Sequence, residues 1–223
     1  MRPLRLLVFL VAFVRPSVLL GQAGVVNARG LGYQVQYHVR YLGQVEEQTG
    51  MLAGGEGWLR LGVIEVGGRG LVGKLVAAGD ATTLDRTVRF SSAWVSLRLA
   101  NAASIGGVIE ARRYETTLGV SVWQLLGGRA RLSPSLGLPG LAGVVDVTYF
   151  FSCKAPGLAA PSVALRGEAG VAFAPGNGPI VLQVVYRFER FDFGDSGFGA
   201  NATAARLEQG RGLVAGLGFR LGR

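Results

Sequence analysis

Along most of this chain, hydrophobic and polar positions alternate one for one. From Leu31 to Tyr41 one face carries Leu31, Tyr33, Val35, Tyr37, Val39 and Tyr41; the other carries Gly32, Gln34, Gln36, His38 and Arg40. A period of two places successive side chains on opposite faces of a strand, and β-branched and aromatic residues suit its pleated surface. The pattern returns toward the C-terminus. Val145, Val147, Tyr149 and Phe151 stand against Asp146 and Thr148, and Val163, Leu165, Val171 and Phe173 against Arg166 and Glu168. Ile180, Leu182, Val184, Tyr186 and Phe188 oppose Gln183, Arg187 and Glu189, and Leu213, Ala215, Leu217, Phe219 and Leu221 oppose Gly212, Gly216, Gly218 and Arg220. Weaker alternation covers 57–66, 70–78, 87–99, 105–113 and 117–126, and Pro134 and Pro139 interrupt 127–140. No segment keeps helical apolar spacing over ten residues, so the chain is all-β.

The connections read as two kinds. Residues 67–69, 101–104 and 174–179 have hairpin length and turn composition. Residues 44–56, 79–85, 152–161 and 194–206 read as longer polar or glycine-rich loops. Strands of about ten residues joined by short and long connections in turn are what an up-and-down barrel crossing a bilayer requires. The count comes to about ten strands, or eight if 105–126 forms a single hairpin arm or loop.

The N-terminus bears on location. Arg2 and Arg5 precede the apolar run Leu6–Val14, and Gly21-Gln22-Ala23 is a small-x-small site, the pattern of a cleaved secretory signal peptide. Residues 1–23 are thus expected to leave and 24–223 to form one domain. No apolar run of 18 residues remains for a membrane helix. Removing Arg2, Arg5 and Arg15 lowers the formal charge from +9 to +6. The remaining arginines are scattered singly, which excludes a nucleic-acid-binding stripe.

Alternation alone does not say which face meets water. The polar faces are rich in Gly, Gln, Ser, Thr and Arg and poor in lysine and glutamate, unlike a soluble exterior and like a narrow lumen. Tyr33, Tyr41, Tyr149, Phe151, Tyr186, Phe188, Phe191 and Phe193 lie toward strand ends, as interfacial girdles do. The chain also ends in a strand, with Leu213, Ala215, Leu217 and Phe219 on one face and Arg223 four residues beyond. On these features the mature chain resembles a small bacterial outer-membrane β-barrel protein from about Asn27 onward. The resemblance implies an antiparallel transmembrane barrel in the cell outer membrane, preceded by a cleaved signal peptide. It also implies a monomer whose partners are outer-membrane lipids, lipopolysaccharide, periplasmic chaperones and the barrel-assembly machinery. Leu213, Ala215, Leu217 and Phe219 resemble the C-terminal signal that this machinery reads.

The stretch Gly67–Leu75, GGRGLVGKL, matches G-x-G-x-x-G and G-x-x-x-x-G-K. A phosphate loop must open a helix and place Ser or Thr after its lysine. Here Leu75 follows Lys74 and Gly79 comes too soon for a helix. Gly-Arg-Gly-Leu-Val recurs at 210–214, where it opens the terminal strand, so the stretch reads as a turn entering a strand.

Chemistry-bearing residues are few. His38, the sole histidine, has Ser91, Ser92, Asp80 and Asp85 as candidate partners in an outer-rim lipid-modifying site. The simpler reading places it in a lumen network of Gln34, Gln36, His38, Arg40, Arg166, Glu168, Gln183, Arg187 and Glu189, with Arg166–Glu168 and Arg187–Glu189 as internal ties. One histidine and one cysteine supply too few ligands for zinc, and Glu189, Asp192 and Asp195 do not complete a calcium loop. Asn201-Ala-Thr203 matches a glycosylation acceptor, and Cys153 falls in an expected loop. No cofactor is expected. The leading functional expectation is a non-catalytic envelope-structural or surface-binding barrel. The alternatives are a narrow passive channel, a lipid-modifying enzyme, and a soluble secreted barrel holding an apolar ligand.

Overall fold

In the computed structural model, which describes residues 24–78, 84–176, 178–195 and 205–221, the alternating stretches form ten strands. They are β1 (Val25–Tyr41), β2 (Gln44–Leu61), β3 (Ile64–Ala77), β4 (Arg86–Ala100), β5 (Ala103–Thr116), β6 (Gly119–Leu132), β7 (Leu141–Lys154), β8 (Pro161–Phe173), β9 (Ile180–Phe193) and β10 (Arg206–Leu221). Each pairs antiparallel with its sequence neighbours. β1 closes on β10, from Val26↔Leu221 to Tyr41↔Arg206. Closure leaves no free strand edge in the wall, which is what a bilayer interior requires. Ten strands, not eight, build the wall, because 105–126 divides into β5 and β6 at a tight turn. The expected signal peptide, Asp80 and Asn201-Ala-Thr203 lie outside the described residues.

Both chain ends of the barrel lie at one rim, called here the inner end. The turns after β1, β3, β5, β7 and β9 lie at the other, the outer end. The outward face carries a band of exposed apolar residues, among them Val95, Leu97, Ile105, Val147, Leu182, Val184, Leu213 and Leu217. Outward aromatics bound it: Tyr149, Phe151 and Tyr186 toward the outer end, Phe173 and Phe219 toward the inner. Such a band between aromatic rows is the lipid-facing wall of a membrane barrel. Strands of 13 to 18 residues exceed the roughly 9–11 needed to cross a bilayer. The surplus projects beyond the band at the outer end.

Several expectations are corrected by this geometry. Residues 44–56 are not a loop: β1 turns directly into β2 through Leu42 and Gly43, both with positive φ (48° and 78°). Residues 67–69 are not a turn either. The whole of Gly67–Leu75 lies within β3, and the segment 57–66 instead contains the β2–β3 turn, with Gly62 at φ 57°. Connections do not alternate cleanly between short and long, since the inner end also carries 133–140. There Gly143 donates its amide to the Pro134 carbonyl at 2.8 Å, folding the connection onto β7. Tyr33, Phe191 and Phe193 are not girdle residues, because all three are buried inside the barrel.

Glycine within β3 answers a packing need rather than a turn. Gly67 pairs with Trp58 on β2 and Trp94 on β4, all three facing inward. A Cβ at Gly67 would lie 2.7 Å from the Trp58 Cβ and strike the Trp94 ring. The missing side chain lets two indoles share one layer of the lumen. Outward-facing Gly32 has nothing within 4 Å of its would-be Cβ. Gly67→Leu should therefore destabilise the refolded barrel by about 1–3 kcal/mol through overpacking, while Gly32→Leu leaves it within about 0.5 kcal/mol. Urea unfolding in detergent micelles measures both; equal effects would refute this account.

Candidate functional site

The lumen holds most of the chain's polar chemistry, arranged in layers by strand parity. At mid-height a chain of ion pairs crosses the barrel. Glu56 on β2 takes Arg29 of β1 and Arg69 of β3. Arg69 reaches across to Glu168 on β8 at 2.5 Å, and Glu168 also faces Arg187 of β9 at 3.5 Å. Arg187 pairs with Glu189 on its own strand; Glu189 takes Arg112 of β5 at 2.8 Å. Arg112 holds Glu110 at 2.7 Å, and Glu110 takes Arg166 of β8. Separately, Arg129 of β6 donates to Asp146 of β7 through two nitrogens. Burying an unpaired charge is costly, so each carboxylate in this chain lies between two guanidinium groups.

Toward the outer end the interior turns apolar. Tyr37, Phe90, Tyr114, Trp123, Phe150, Phe191 and Phe193 form a connected ring cluster with centroid separations from 5.1 to 6.4 Å. Arg112 joins the two layers: its guanidinium lies 4.8 Å from the Phe90 ring centre and 4.5 Å from that of Phe191. Each such contact adds about 2 kcal/mol when desolvated. Arg112 is 0% exposed and Arg187 1%, so the barrel is filled across its section here. Cys153 lies in β7, not a loop, and faces this cluster.

The structure divides the expected lumen network. Arg166, Glu168, Gln183, Arg187 and Glu189 face inward and are buried. Gln34, Gln36, His38 and Arg40 do not: they face outward, while Leu31, Tyr33, Val35, Tyr37 and Val39 fill the lumen. Paired residues in a ladder share a face, and Gln34 is paired with outward Leu213. Near the outer end β1 stands above the apolar band, so water can solvate its outward polar side chains. Partner choice also differs from the expected ties. Arg166 binds Glu110 and Thr148 rather than Glu168.

On that outer wall His38, Arg40, Glu47, Gln209 and Arg211 line a groove of about 220 Å³ with Val45, Phe188 and Leu207. His38 Nδ1 lies 3.2 Å from Glu47 Oε1. Among the described residues no hydroxyl is hydrogen-bonded to it. Ser92 faces the lumen on β4, and Asp85 pairs with Lys74 at 2.7 Å. That ammonium holds the Asp85 carboxyl below its ordinary range, chiefly by hydrogen bonding. Glu189 points in and Asp192 out, where Arg190 holds it at 2.8 Å, so these acids do not converge. Among the described residues there is no cluster of three metal-ligating side chains.

Sequence reading missed Arg29, Glu56, Arg69, Glu110, Arg112, Arg129 and Asp146 as network members. The available signal was parity: Glu110 and Arg112 lie two apart, as do Arg166 and Glu168. Glycine masks the same cue around Arg69. Of the two Gly-Arg-Gly-Leu-Val copies, Arg69 points in and Arg211 points out.

An antiparallel barrel with an apolar wall and a polar, charge-paired interior is the architecture of the small outer-membrane β-barrels, and the solved structures that resemble this one belong to that class. The outer membrane protease OmpT of Escherichia coli superposes with a TM-score of 0.57 at 8% identity, over 89% of this chain and 97% of its own. The translocator domain of autotransporter NalP of Neisseria meningitidis gives 0.45 at 13% identity, over 95% and 96%. The attachment invasion locus protein Ail of Yersinia pestis gives 0.35 at 14%, over 87% and 99%. No protein-family model matches the chain, and no curated protein matches it in sequence. The likeness is one of fold.

Breaking the chain at Arg112 tests its energetics. Arg112→Ala leaves Glu189 with Arg187 alone and Glu110 with Arg166 alone, and should cost up to about 3–5 kcal/mol, the range for breaking a buried pair. The apolar pair Arg112→Leu with Glu189→Leu should recover part of that loss in a double-mutant cycle of urea unfolding. Strict additivity of the two single changes would show that the pair is not coupled.

Proposed function

We propose that this protein is a closed, non-conducting and non-catalytic barrel of the outer membrane, with an envelope-structural or surface-binding role carried by its outer end. The observation that supports this most directly is the filled cross-section. Arg112, Arg187, Glu189 and Tyr33 are each at most 2% exposed, and the aromatic cluster lies above them. A passive channel needs a continuous aqueous path, which ten strands can enclose only when side chains leave the lumen open. A soluble barrel with an internal apolar ligand would need the apolar band turned inward. A lipid-modifying centre at His38 would need a nucleophile beside the His38–Glu47 pair. Strand length favours the outer end as the working part, since the wall there rises past the lipid band with Arg40, Glu47, Arg190 and Arg211 facing outward. The resemblance at Leu213, Ala215, Leu217 and Phe219, all outward on β10, supports delivery by the barrel-assembly machinery.

Planar-bilayer recording of the chain from Gly24, refolded in detergent, tests this reading. No current step above leak is expected from the wild type. Arg112→Ala with Arg187→Ala and Glu189→Ala, combined with Trp123→Ala and Phe191→Ala in the aromatic layer and verified as folded by faster gel migration when unheated, should open a path and give measurable steps. Discrete wild-type conductance would overturn the closed-barrel assignment.

A further inference from the structure

The inner end of the lumen carries an excess of positive charge that the protein does not neutralise itself. Arg29, Arg60, Arg98, Arg129, Arg131 and Arg220 lie on lumen-facing positions there, against Glu56, Glu65 and Asp146. The three carboxylates leave most of these arginines unmatched. Glu56 is shared between Arg29 and Arg69, Asp146 is taken by Arg129, and Glu65 accepts from the Trp94 indole at 3.4 Å. Among the described residues Arg131 has neither a carboxylate nor a hydrogen-bond acceptor; its guanidinium lies 5.7 Å from the Trp58 ring centre, with Arg29 at 4.6 Å. Among the described residues the Arg220 side chain reaches the Asn27 side-chain oxygen alone, at 3.4 Å.

These groups surround a cavity of about 90 Å³, lined by Asn27, Arg29, Trp58, Arg131, Gln183 and Arg220 among others, with no carboxylate on its walls. That is room for several waters, at about 10–15 Å³ each. Asn27, Arg29 and Gln183 are more than nine-tenths buried, and among the described residues the Nε of Arg29 has no partner. Arg29 is held by Glu56 and the Gln183 side-chain oxygen, but half-buried Arg131 and rim-exposed Arg220 beside it have no carboxylate partner among the described residues; such a group favours a counter-anion, and guanidinium forks match the oxygen spacing of phosphate. We propose that this cavity binds a phosphate-type oxyanion entering from the inner end, with Arg29, Arg131 and Arg220 as its charged ligands, Asn27 and Gln183 as neutral ones and Trp58 as a flanking wall. The phosphate belongs either to a soluble phosphate compound or to a phospholipid headgroup at the rim, where outward Phe219 also borders the cavity. The site depends on the fold alone, so it stands or falls separately from the non-conducting role.

The test is calorimetric titration of inorganic pyrophosphate into the refolded wild-type chain in zwitterionic micelles at low salt. One saturable site is expected. Arg131→Gln should weaken it at least tenfold, Arg131→Lys less, and Arg211→Gln on the distant outer wall not at all. Titration into nanodiscs with and without phosphatidylglycerol separates the sources. Competition by that lipid identifies a headgroup as the ligand, and unchanged affinity identifies a soluble phosphate. Absence of saturable binding up to 10 mM pyrophosphate in both micelles and lipid-free controls, with the unheated band still migrating as folded, overturns the proposal. Equal affinity in wild type and Arg131→Gln/Arg220→Gln does the same, and bilayer conductance does not bear on either result.

Discussion

The closure of β1 on β10 is the constraint on which the rest of this structure depends. In hydrocarbon an unpaired strand edge is untenable, so the first and last strands must meet along their length. Their ladder runs from Val26↔Leu221 to Tyr41↔Arg206. Because pleating alternates with a period of two, this one register decides which face of β1 looks inward. A shift by one residue would place Tyr33 and Tyr37 in the outward wall and drive His38 and Arg40 into the aromatic cluster.

Given that register, the barrel changes character along its axis. In its inner and middle part it is apolar outside and charged inside, as lipid demands. At its outer end it is polar outside and aromatic inside, closer to a soluble barrel. The crossover explains why β1 alternates with the opposite sense from β7, β9 and β10. The outward leucines, valines and aromatics of those three strands sit at the level of the bilayer; Gln34, paired with Leu213, lies at the edge of that band, and the polar row from Gln36 to Arg40 stands above it.

Charge burial is managed by distribution. A single Arg–Glu pair inside a protein gains little against desolvation. Here each carboxylate of the central chain touches two arginines, and several guanidinium groups also lie on aromatic rings, including Arg112 on Phe90 and Phe191 and Arg129 on Trp94. The exception is the inner end, where arginines outnumber acids, and that imbalance follows from strand positions rather than from any block of basic residues in the sequence.

The sequence by itself determined the all-β class, most strand positions in β4 and β7–β10, and the apolar rows of the last four strands. These are local properties, because alternation and β-branched composition act on each strand alone. Only the tertiary structure decided the strand count, the strand identity of 44–56 and 67–69, the outward turn of Gln34, Gln36, His38 and Arg40, and the pairing of Arg166 with Glu110. Glycine fits a turn or a strand equally well until neighbours such as Trp58 and Trp94 require the missing Cβ. Alternation defines two faces but not which one is inside. Ion pairs across a lumen join residues from strands far apart in the chain, so their partners exist only once the wall has closed.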